Sequence, residues 1–178
     1  ITGINLTGDD NANNYVGSDF ADTISGLGGN DSILGGLGAD FIFGGIGVDV
    51  LSGEDGDDEL NGGLSEDTSY GGAGNDSFNL TTDGEQDLIR FGDGDGNDTL
   101  TGFESPADNG DGTFTGHDLL DVSGLTDAGG NPVNTDDVTV TDDGNGNAVL
   151  SFPNGETITL IGVPVSAVSS TDQLAAMG

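Results

Sequence analysis

The sequence almost entirely lacks cationic side chains: among its 178 residues Arg90 is the only lysine or arginine, and the formal net charge is −32. Contacts with nucleic-acid phosphates and with anionic lipids both depend on lysine and arginine, so the composition argues against either partner. No apolar stretch reaches the length of a membrane-spanning helix, and we expect no membrane insertion.

Cysteine and tryptophan are absent, and His117 is the only histidine. The chain therefore lacks the thiolate and imidazole ligands that zinc and copper prefer. It also contains no G-x-S-x-G or H-E-x-x-H motif, and no nucleophile motif lies near His117. We expect that the chain is not an enzyme.

Aspartate is abundant, with 27 copies, and part of this content is strictly periodic. Seven aspartates lie nine residues apart without a miss: Asp22, Asp31, Asp40, Asp49, Asp58, Asp67 and Asp76. Neither a helix nor an ordinary strand has that period. A fixed period of this length indicates a repeating supersecondary unit.

The nine-residue unit has a consistent internal pattern, seen in GGLGADFIF at 35–43 and GGAGNDSFN at 71–79. Glycine favours positions one, two and four, aspartate holds position six, and an apolar residue holds position eight. The glycines predict a tight turn over the first six residues. The last three residues predict a three-residue strand with its middle side chain turned inward.

Two units make one coil, so equivalent turns recur every 18 residues. Stacked coils then bury a stripe of position-eight residues: Tyr15, Ile24, Ile33, Ile42, Leu51, Leu60 and Phe78. Successive coils lie about 4.8 Å apart, and columns of unneutralised carboxylates would not stay compact at this net charge. Calcium binds about six to eight oxygens, including backbone carbonyls, in flexible geometry, whereas magnesium is stricter and retains water. Calcium is therefore the predicted partner.

The GGxGxDxUx pattern resembles the signature of the RTX (repeats-in-toxin) family over residues 8–79. The resemblance implies a right-handed parallel β-roll with each calcium between one turn and the next turn on the same side. It also implies the ligands. These are the carbonyls at positions two and four and the aspartate of one unit, with the carbonyls at positions one and three and the aspartate of the unit one coil further on.

Carried onto this sequence, the resemblance implies about five or six ions. The first would take Ser18, Phe20, Asp22, Gly35, Leu37 and Asp40. The second would take Leu27, Gly29, Asp31, Gly44, Ile46 and Asp49. The third would take Gly36, Gly38, Asp40, Gly53, Asp55 and Asp58. The fourth would take Gly45, Gly47, Asp49, Gly62, Leu64 and Asp67. The fifth would take Glu54, Gly56, Asp58, Gly71, Ala73 and Asp76. A sixth would take Asp9, Asn11, Asn13, Gly26, Gly28 and Asp31, with the neutral oxygen of asparagine in place of one carboxylate.

The nine-residue frame breaks after Asn79, although one unit-like stretch has Asp98 in the acidic slot and Leu100 in the apolar slot. The segments NDTLTGF and DLLDVSGL resemble the region that closes the roll in RTX exoproteins. This resemblance implies ligands for a final ion among four aspartates: Asp87, Asp98, Asp118 and Asp121.

Residues 137–163 predict antiparallel strands, because DVTVT, AVLSF and ETITL are separated by the turn-rich DDGNGN and PNG. They would form a small β cap, which a repeat array with an open edge needs. SSTDQLAAM at 169–177 predicts a short C-terminal helix with Ser170 or Thr171 as its N-cap. The predicted fold is thus all-β: a right-handed parallel β-roll of nonapeptide repeats, a small antiparallel β cap and a short C-terminal helix.

We divide the chain into three regions. Residues 8–79 form the RTX calcium-binding roll, 80–125 the degenerate repeat and roll-closing segment, and 126–178 the cap with a secretion-signal-like region. In the RTX family such C-terminal regions carry an uncleaved signal for type I secretion. The chain begins at Ile1 without a visible signal peptide, and we expect it to be part of a longer protein.

The first functional hypothesis is a non-enzymatic, calcium-driven folding module that uses the type I secretion machinery and is secreted, extracellular or at the cell surface. Weak calcium sites stay empty in cytosol and fill outside the cell. The alternatives are a calcium-dependent structural, adhesive or surface-layer assembly protein, or the targeting tail of a secreted hydrolase. Phe41 and Phe43 should point outward, where they are either covered by a neighbouring segment or form a self-association patch.

Overall fold

The computed structural model of the protein describes residues 2–81, 83–105, 107–108, 114–115 and 118–168. In these ranges the strands are β1 (Asn5–Asp9), β2 (Asn14–Val16), β3 (Thr23–Gly28), β4 (Ser32–Leu37), β5 (Phe41–Ile46), β6 (Val50–Asp55), β7 (Glu59–Leu64), β8 (Thr68–Ala73), β9 (Ser77–Asn79), β10 (Leu88–Gly92), β11 (Asn97–Thr101), β12 (Ala107–Asp108), β13 (Phe114–Thr115), β14 (Leu119–Gly124), β15 (Thr139–Asp142), β16 (Ala148–Ser151) and β17 (Thr157–Ile161).

Helix is almost absent from the described ranges, which contain 3₁₀ helices at Thr135–Asp137 and Val165–Ala167. No helix there is long or apolar enough to cross a membrane. The C-terminal helix predicted at 169–177 and the lone His117 lie outside the described residues.

Alternate strands of the repeat region belong to two different sheets. The first sheet has the order β1-β3-β5-β7-β9-β11-β17-β16-β15, and the second has the order β14-β10-β8-β6-β4-β2. Pairing in the repeat region is parallel and advances by 18 residues, as in Thr23↔Phe41 and Phe41↔Glu59. This confirms the predicted all-β fold with a parallel β-roll in which two nine-residue units make one coil.

The core of the roll consists of one inward-facing ladder from each sheet. The ladder of the first sheet is Ile24, Ile42, Leu60, Phe78 and Leu100. That of the second is Ile33, Leu51, Ser69, Ile89 and Leu120. All ten side chains are buried, and full burial of each apolar member is worth about 1.5–3 kcal/mol. The position-eight residues from Ile24 onward are therefore the core, joined by residues beyond the regular repeats, whereas Tyr15 is only partly buried and packs against this core.

The six strands β3–β8 are six residues long rather than the three that the sequence pattern predicted, so that prediction was wrong for them, whereas β2 and β9 have three residues. β5 pairs with β7 from Phe41↔Glu59 through to Ile46↔Leu64, so it continues into positions one to three of the next unit. Glycine permits this continuation: a Cβ on Gly45 would lie 2.2 Å from the carbonyl oxygen of Leu27. Without side chains at these positions, the backbones of successive coils come close enough to keep pairing.

The C-terminal strands extend the first sheet beyond the repeats. β17 pairs in parallel with β11, placing Leu160 beside Leu100. β16 then pairs antiparallel with β17, and β15 antiparallel with β16. Leu150, Phe152 and Leu160 are buried and join the same hydrophobic cluster as the ladders.

One coil of the roll has an apolar exterior. Phe41 and Phe43 lie on the outer side of β5, 45% and 37% exposed, and Ile46, Val48 and Val50 continue this exposed apolar surface around the next turn. Self-association through this coil stays a prediction.

Six turns share an unusual backbone feature at positions two and four, where φ is positive. The pairs are 27/29, 36/38, 45/47, 54/56, 63/65 and 72/74. Most of these residues are glycine, but Leu27, Glu54 and Ser65 adopt φ of 76°, 79° and 89°. A left-handed conformation costs a residue with a side chain about 1–2 kcal/mol.

Ser65→Gly should therefore stabilise the protein. Relief of the left-handed strain outweighs the extra backbone entropy of glycine in the unfolded chain, so we expect about 0.5–1 kcal/mol more free energy of unfolding. Ser32→Gly in β4 is the matched control, because Ser32 is in an extended strand and should lose about 0.5–1 kcal/mol. Urea unfolding in saturating calcium measures both. If Ser65→Gly were no more stable than Ser32→Gly, the strain interpretation would be wrong.

Candidate metal centre

The periodic aspartates form two columns that run along the stack of coils. In each column the backbone N–H of one aspartate donates a hydrogen bond to Oδ1 of the aspartate one coil further on. In the first column the bonds are Asp22 to Asp40 at 2.7 Å, Asp40 to Asp58 at 2.7 Å, Asp58 to Asp76 at 2.9 Å and Asp76 to Asp98 at 2.8 Å. In the second they are Asp31 to Asp49 at 2.7 Å, Asp49 to Asp67 at 2.8 Å, Asp67 to Asp87 at 2.9 Å and Asp87 to Asp118 at 3.2 Å.

Strand pairing and glycine together position each aspartate. The residue after the aspartate begins a strand, and its N–H binds the aspartate carbonyl of the preceding coil, as from Phe41 to Asp22 at 2.9 Å. The side chain folds back over position one of its own turn, which must be glycine. A Cβ on Gly44, for example, would lie 2.3 Å from Oδ2 of Asp49.

The second carboxylate oxygen is left without a partner in six of these residues. Oδ2 is buried and accepts no hydrogen bond within the described structure in Asp31, Asp40, Asp49, Asp58, Asp67 and Asp76. The side chains are at most 3% exposed. A buried ionised oxygen without a partner is strongly disfavoured. These oxygens therefore fit a bound cation, which would supply the missing interaction.

The columns are also electrostatically unfavourable without a cation. Burial raises the pKa of Asp58 to about 6, of Asp76, Asp87 and Asp98 to about 7, and of Asp67 to about 8. Repulsion within the columns adds to the effect: Asp87 and Asp49 further raise the pKa of Asp67, and Asp40 that of Asp58. A cation between the coils would favour the ionised form and reverse these shifts.

Asp22 is an exception. Although burial acts to raise its pKa, hydrogen bonds from the N–H groups of Ile4 and Ser18 hold the pKa below its ordinary value. Oδ1 accepts from the Ile4 N–H at 2.6 Å and from the Ser18 hydroxyl at 2.9 Å, and Oδ2 accepts from the Ser18 N–H at 2.5 Å. Both oxygens of Asp22 are thus already satisfied by the protein.

Side chains alone do not complete a metal site. In the described ranges no group of three or more acidic, histidine or cysteine side chains is placed to hold a metal ion. The other ligands would have to be backbone carbonyls, and these lie between successive turns. The carbonyl oxygen of Leu27 would be 2.2 Å from a Cβ on Gly45, and that of Gly38 would be 1.7 Å from one on Gly56. This mixture of carboxylate and carbonyl oxygens fits calcium.

The register of the sheets brings together the residues of the second to fifth predicted ligand sets. Gly28 lies beside Ile46, Leu37 beside Asp55, Ile46 beside Leu64, and Asp55 beside Ala73, so the turns of each set are stacked. In all four sets the turn that would provide the position-two and position-four carbonyls has the left-handed pair.

The first and sixth predicted sets have different local structure. Ser18 and Phe20 lack the positive φ found at positions two and four of the other turns. In the sixth set, Oδ1 of Asn13 accepts hydrogen bonds from the Tyr15 hydroxyl at 2.9 Å and from the N–H of Asp9 at 3.3 Å. The ligand sets themselves stay predictions.

Beyond the regular repeats, the columns continue through Asp87, Asp98 and Asp118. The sequence placed Asp98 in the acidic slot of a unit-like stretch but left Asp87 and Asp118 without a register, because the spacings of Asp87, Asp98 and Asp118 from the preceding member are 20, 22 and 31 residues. The available signal was an apolar residue two positions later: Ile89, Leu100 and Leu120. Asp121 lies outside the columns and pairs with Arg90, with Nε and Oδ2 3.1 Å apart.

Comparison with known proteins gives one family match. The family model of the RTX calcium-binding nonapeptide repeat matches residues 7–42 and 43–78. No curated protein matches the sequence.

Two solved structures are similar at low identity. The extracellular lipase LipA from Serratia marcescens is 18% identical, with 90% of this chain and 39% of the lipase chain covered and a TM-score of 0.32. The AlgE6R3 subunit from the Azotobacter vinelandii mannuronan C5-epimerase is also 18% identical, with 89% of this chain and 78% of the subunit covered and a TM-score of 0.26. The chain thus spans less than half the length of the lipase.

The family match includes the seven periodic aspartates, the glycine-rich turns and the six buried oxygens that lack a partner. Residues 7–78 are therefore a run of RTX calcium-binding nonapeptide repeats.

Proposed function

We propose that this chain is a calcium-driven folding module of a protein exported by type I secretion, and that it acts outside the cell or at its surface. The observation that carries the proposal is the set of six buried aspartate oxygens without hydrogen-bond partners. They give the folded chain a requirement that the unfolded chain does not have, namely a cation between the coils.

Calcium would drive folding through linkage. A ligand that binds only the folded state stabilises that state by mass action, and the ligands here come together only when the coils are stacked. At a net charge of −32, repulsion among the empty columns keeps the chain expanded. In low-calcium cytosol the chain would stay unfolded and could pass through a secretion channel, and extracellular calcium would then fold it.

The second to fifth ligand sets are the best-supported sites, since each combines a left-handed turn with an unpaired aspartate oxygen. In the first set Asp22 is satisfied by Ile4 and Ser18, and in the sixth Asn13 is satisfied by Tyr15 and Asp9. We therefore propose four calcium ions in the regular repeats, fewer than the sequence pattern suggested.

The module is proposed to be non-enzymatic. Within the described ranges, Asp95 is the one buried carboxylate that lies outside the two columns. The two columns therefore contain all of the other buried carboxylates, and a cation bound between the coils would neutralise them.

A calcium titration followed by far-ultraviolet circular dichroism tests the proposal. After chelator treatment we expect a coil-like spectrum, followed by a cooperative transition to β structure near millimolar calcium, because folding and ion binding are coupled. Magnesium is the control and should not induce the transition, since it requires stricter geometry. A spectrum that is already β-rich in chelator would contradict calcium-driven folding.

Ion sharing along the columns predicts unequal effects of aspartate substitutions. Asp49 belongs to two ligand sets, whereas Asp22 belongs to one and is already satisfied by the protein. Asp49→Asn retains an acceptor for the Asp31 N–H but loses the charge. We expect it to raise the calcium midpoint of folding by roughly tenfold, or ~1.4 kcal/mol, with a smaller shift for Asp22→Asn. Equal midpoints would rule out the shared-ligand arrangement.

The pKa shifts predict that acid partly replaces calcium. The pKa of the buried aspartates rises from the ordinary 3.8 to about 6 for Asp58 and about 8 for Asp67. Between pH 3.8 and these raised values the metal-free folded chain binds more protons than the unfolded chain, so its stability falls as pH rises from 3.8 and levels off above the folded values of about 6 to 8. In chelator we therefore expect more β structure at pH 5 than at pH 8. An unchanged spectrum would contradict the shifts, and in calcium the trend should reverse because protons then compete with the ion.

A further inference from the structure

The outer face of the first sheet carries two regular rows of side chains. Side chains alternate along a strand, so the residues on either side of each buried ladder member point away from the core. Strand pairing aligns them across the sheet. The first row is Asn5, Thr23, Phe41, Glu59, Ser77, Thr99, Thr159, Val149 and Thr141. The second row contains Thr7, Ser25, Phe43 and Asn61, and further along the sheet Asn79, Thr101 and Ile161.

These two rows are almost free of charge. The chain has 33 acidic residues, yet Glu59 is the only charged side chain in the rows. Apart from Glu59, every acidic residue between residues 17 and 79 falls in the first six positions of its nine-residue unit, that is, in a turn. The negative charge of the roll is therefore concentrated along its turns, and the first sheet presents a neutral surface between them.

The polar side chains of the rows are available for hydrogen bonding. Eleven of the sixteen are serine, threonine or asparagine. None of these eleven side chains is hydrogen-bonded to another residue that the structure describes. Asparagines in the turns behave differently: the amide of Asn131 donates to Asp127 at 2.9 Å, and that of Asn147 donates to Asp143 at 2.8 Å. The face thus offers hydroxyl and amide groups that both donate and accept.

Two exposed aromatic rings lie in the middle of this polar surface. Phe41 and Phe43 are 45% and 37% exposed. They are two residues apart on β5, so they point to the same side about 6.6 Å apart. Thr23 and Ser25 lie beside them on β3, and Asn61 lies beside Phe43 on β7. On the sheet, polar side chains therefore border the two rings on both sides.

Electrostatics restricts what can bind to this face. The chain has a net charge of −32, and the four proposed calcium ions leave it strongly negative. An anionic partner, including a second copy of the chain, would be repelled. A cationic partner would be attracted to exposed carboxylates in the turns, such as Asp55 and Asp57, rather than to the sheet. The distribution of charge therefore favours a neutral partner.

Shape and chemistry narrow the partner further. Small ligands occupy concave pockets, whereas this sheet has nine strands, which at about 4.8 Å per strand extend over about 38 Å. We infer that the face binds an extended, neutral polysaccharide. The C–H faces of its sugar rings pack on Phe41 and Phe43, and its hydroxyl groups exchange hydrogen bonds with the serine, threonine and asparagine side chains. This inference requires only the folded chain and goes beyond calcium-driven folding and secretion.

The competing interpretation is that the two rings form an interface between copies of the chain. Such an interface would bring two strongly negative molecules together. It would also be expected first on the second sheet, whose outer side is more apolar. There Val16, Leu34 and Val50 are 67%, 38% and 50% exposed. The first sheet, with two rings among hydroxyl and amide groups, fits a sugar surface better than it fits a copy of itself.

Affinity gel electrophoresis of the whole chain in saturating calcium tests the inference. Separate gels contain glucomannan, which is neutral and extended, dextran, which is neutral and flexible, or alginate, which is an extended polyanion. We expect glucomannan to slow the migration of the wild-type chain. Dextran should slow it much less because a flexible chain does not match a long face, and alginate should not slow it because of charge repulsion.

Substitution of one ring locates the binding face. Phe43→Ala should weaken binding to glucomannan about tenfold, because it removes one of the two stacking rings. Phe43→Tyr keeps the ring and should bind like the wild type. Leu34→Ala is the matched control, since Leu34 is 38% exposed on the outer side of the second sheet and Phe43 is 37% exposed on the first. It should also bind like the wild type.

Each outcome decides a specific point. A folded wild-type chain that glucomannan does not slow, or that alginate slows equally, would overturn this inference. Equal weakening by Phe43→Ala and Leu34→Ala would also overturn it. A wild-type dimer in size-exclusion chromatography that Phe43→Ala converts to a monomer would assign the face to a second copy instead.

Two further results keep the tests separate. If circular dichroism shows that Phe43→Ala does not fold in calcium, Phe43→Leu decides by the same criterion, because it keeps an apolar side chain and removes only the ring. A chain that is already β-rich in chelator would overturn the proposed function, and its migration in glucomannan would still decide this inference.

Discussion

The fold depends on neutralising carboxylates that it buries in two columns. Each aspartate gives one oxygen to the backbone N–H of the coil before it, which aligns the turns, while the other oxygen is buried without a partner in six cases. The hydrogen bonds fix the register of the aspartates within a column. The unpaired oxygens destabilise the column when no cation is bound. In the proposed function, coil stacking and cation binding are therefore a single event.

Glycine allows this arrangement for two distinct physical reasons. At position one, as in Gly44, a side chain would collide with the aspartate of the same turn. At positions two and four the backbone adopts positive φ, which glycine tolerates best. Leu27, Glu54 and Ser65 occupy such positions at an energetic cost. The repeat is thus constrained most strongly where backbone and carboxylate meet, and least on the outer faces of the strands.

The end of the roll is built from the same interactions without the same spacing. The columns continue through Asp87, Asp98 and Asp118 despite interruptions in the repeat. Each of these aspartates accepts a hydrogen bond from the N–H of the preceding member, and the apolar residue two positions later packs in the core ladder. β17 then continues the first sheet in parallel, and β16 reverses the direction of pairing. The hairpin contacts the glycine-rich turn at residues 93–98, where the N–H of Thr157 donates to the carbonyl of Gly96 at 3.2 Å.

Much of this protein was determined by the sequence itself. The nine-residue period identified the two-unit coil, the inward residues such as Ile42 and Leu51, and the aspartate columns, because each depends on contacts that recur at a constant spacing. Only the tertiary structure decided the six-residue length of β3–β8, the satisfied oxygens of Asp22, and the places of Asp87 and Asp118. These features depend on register across loops of irregular length and on which donor reaches which oxygen, and no one-dimensional period encodes either.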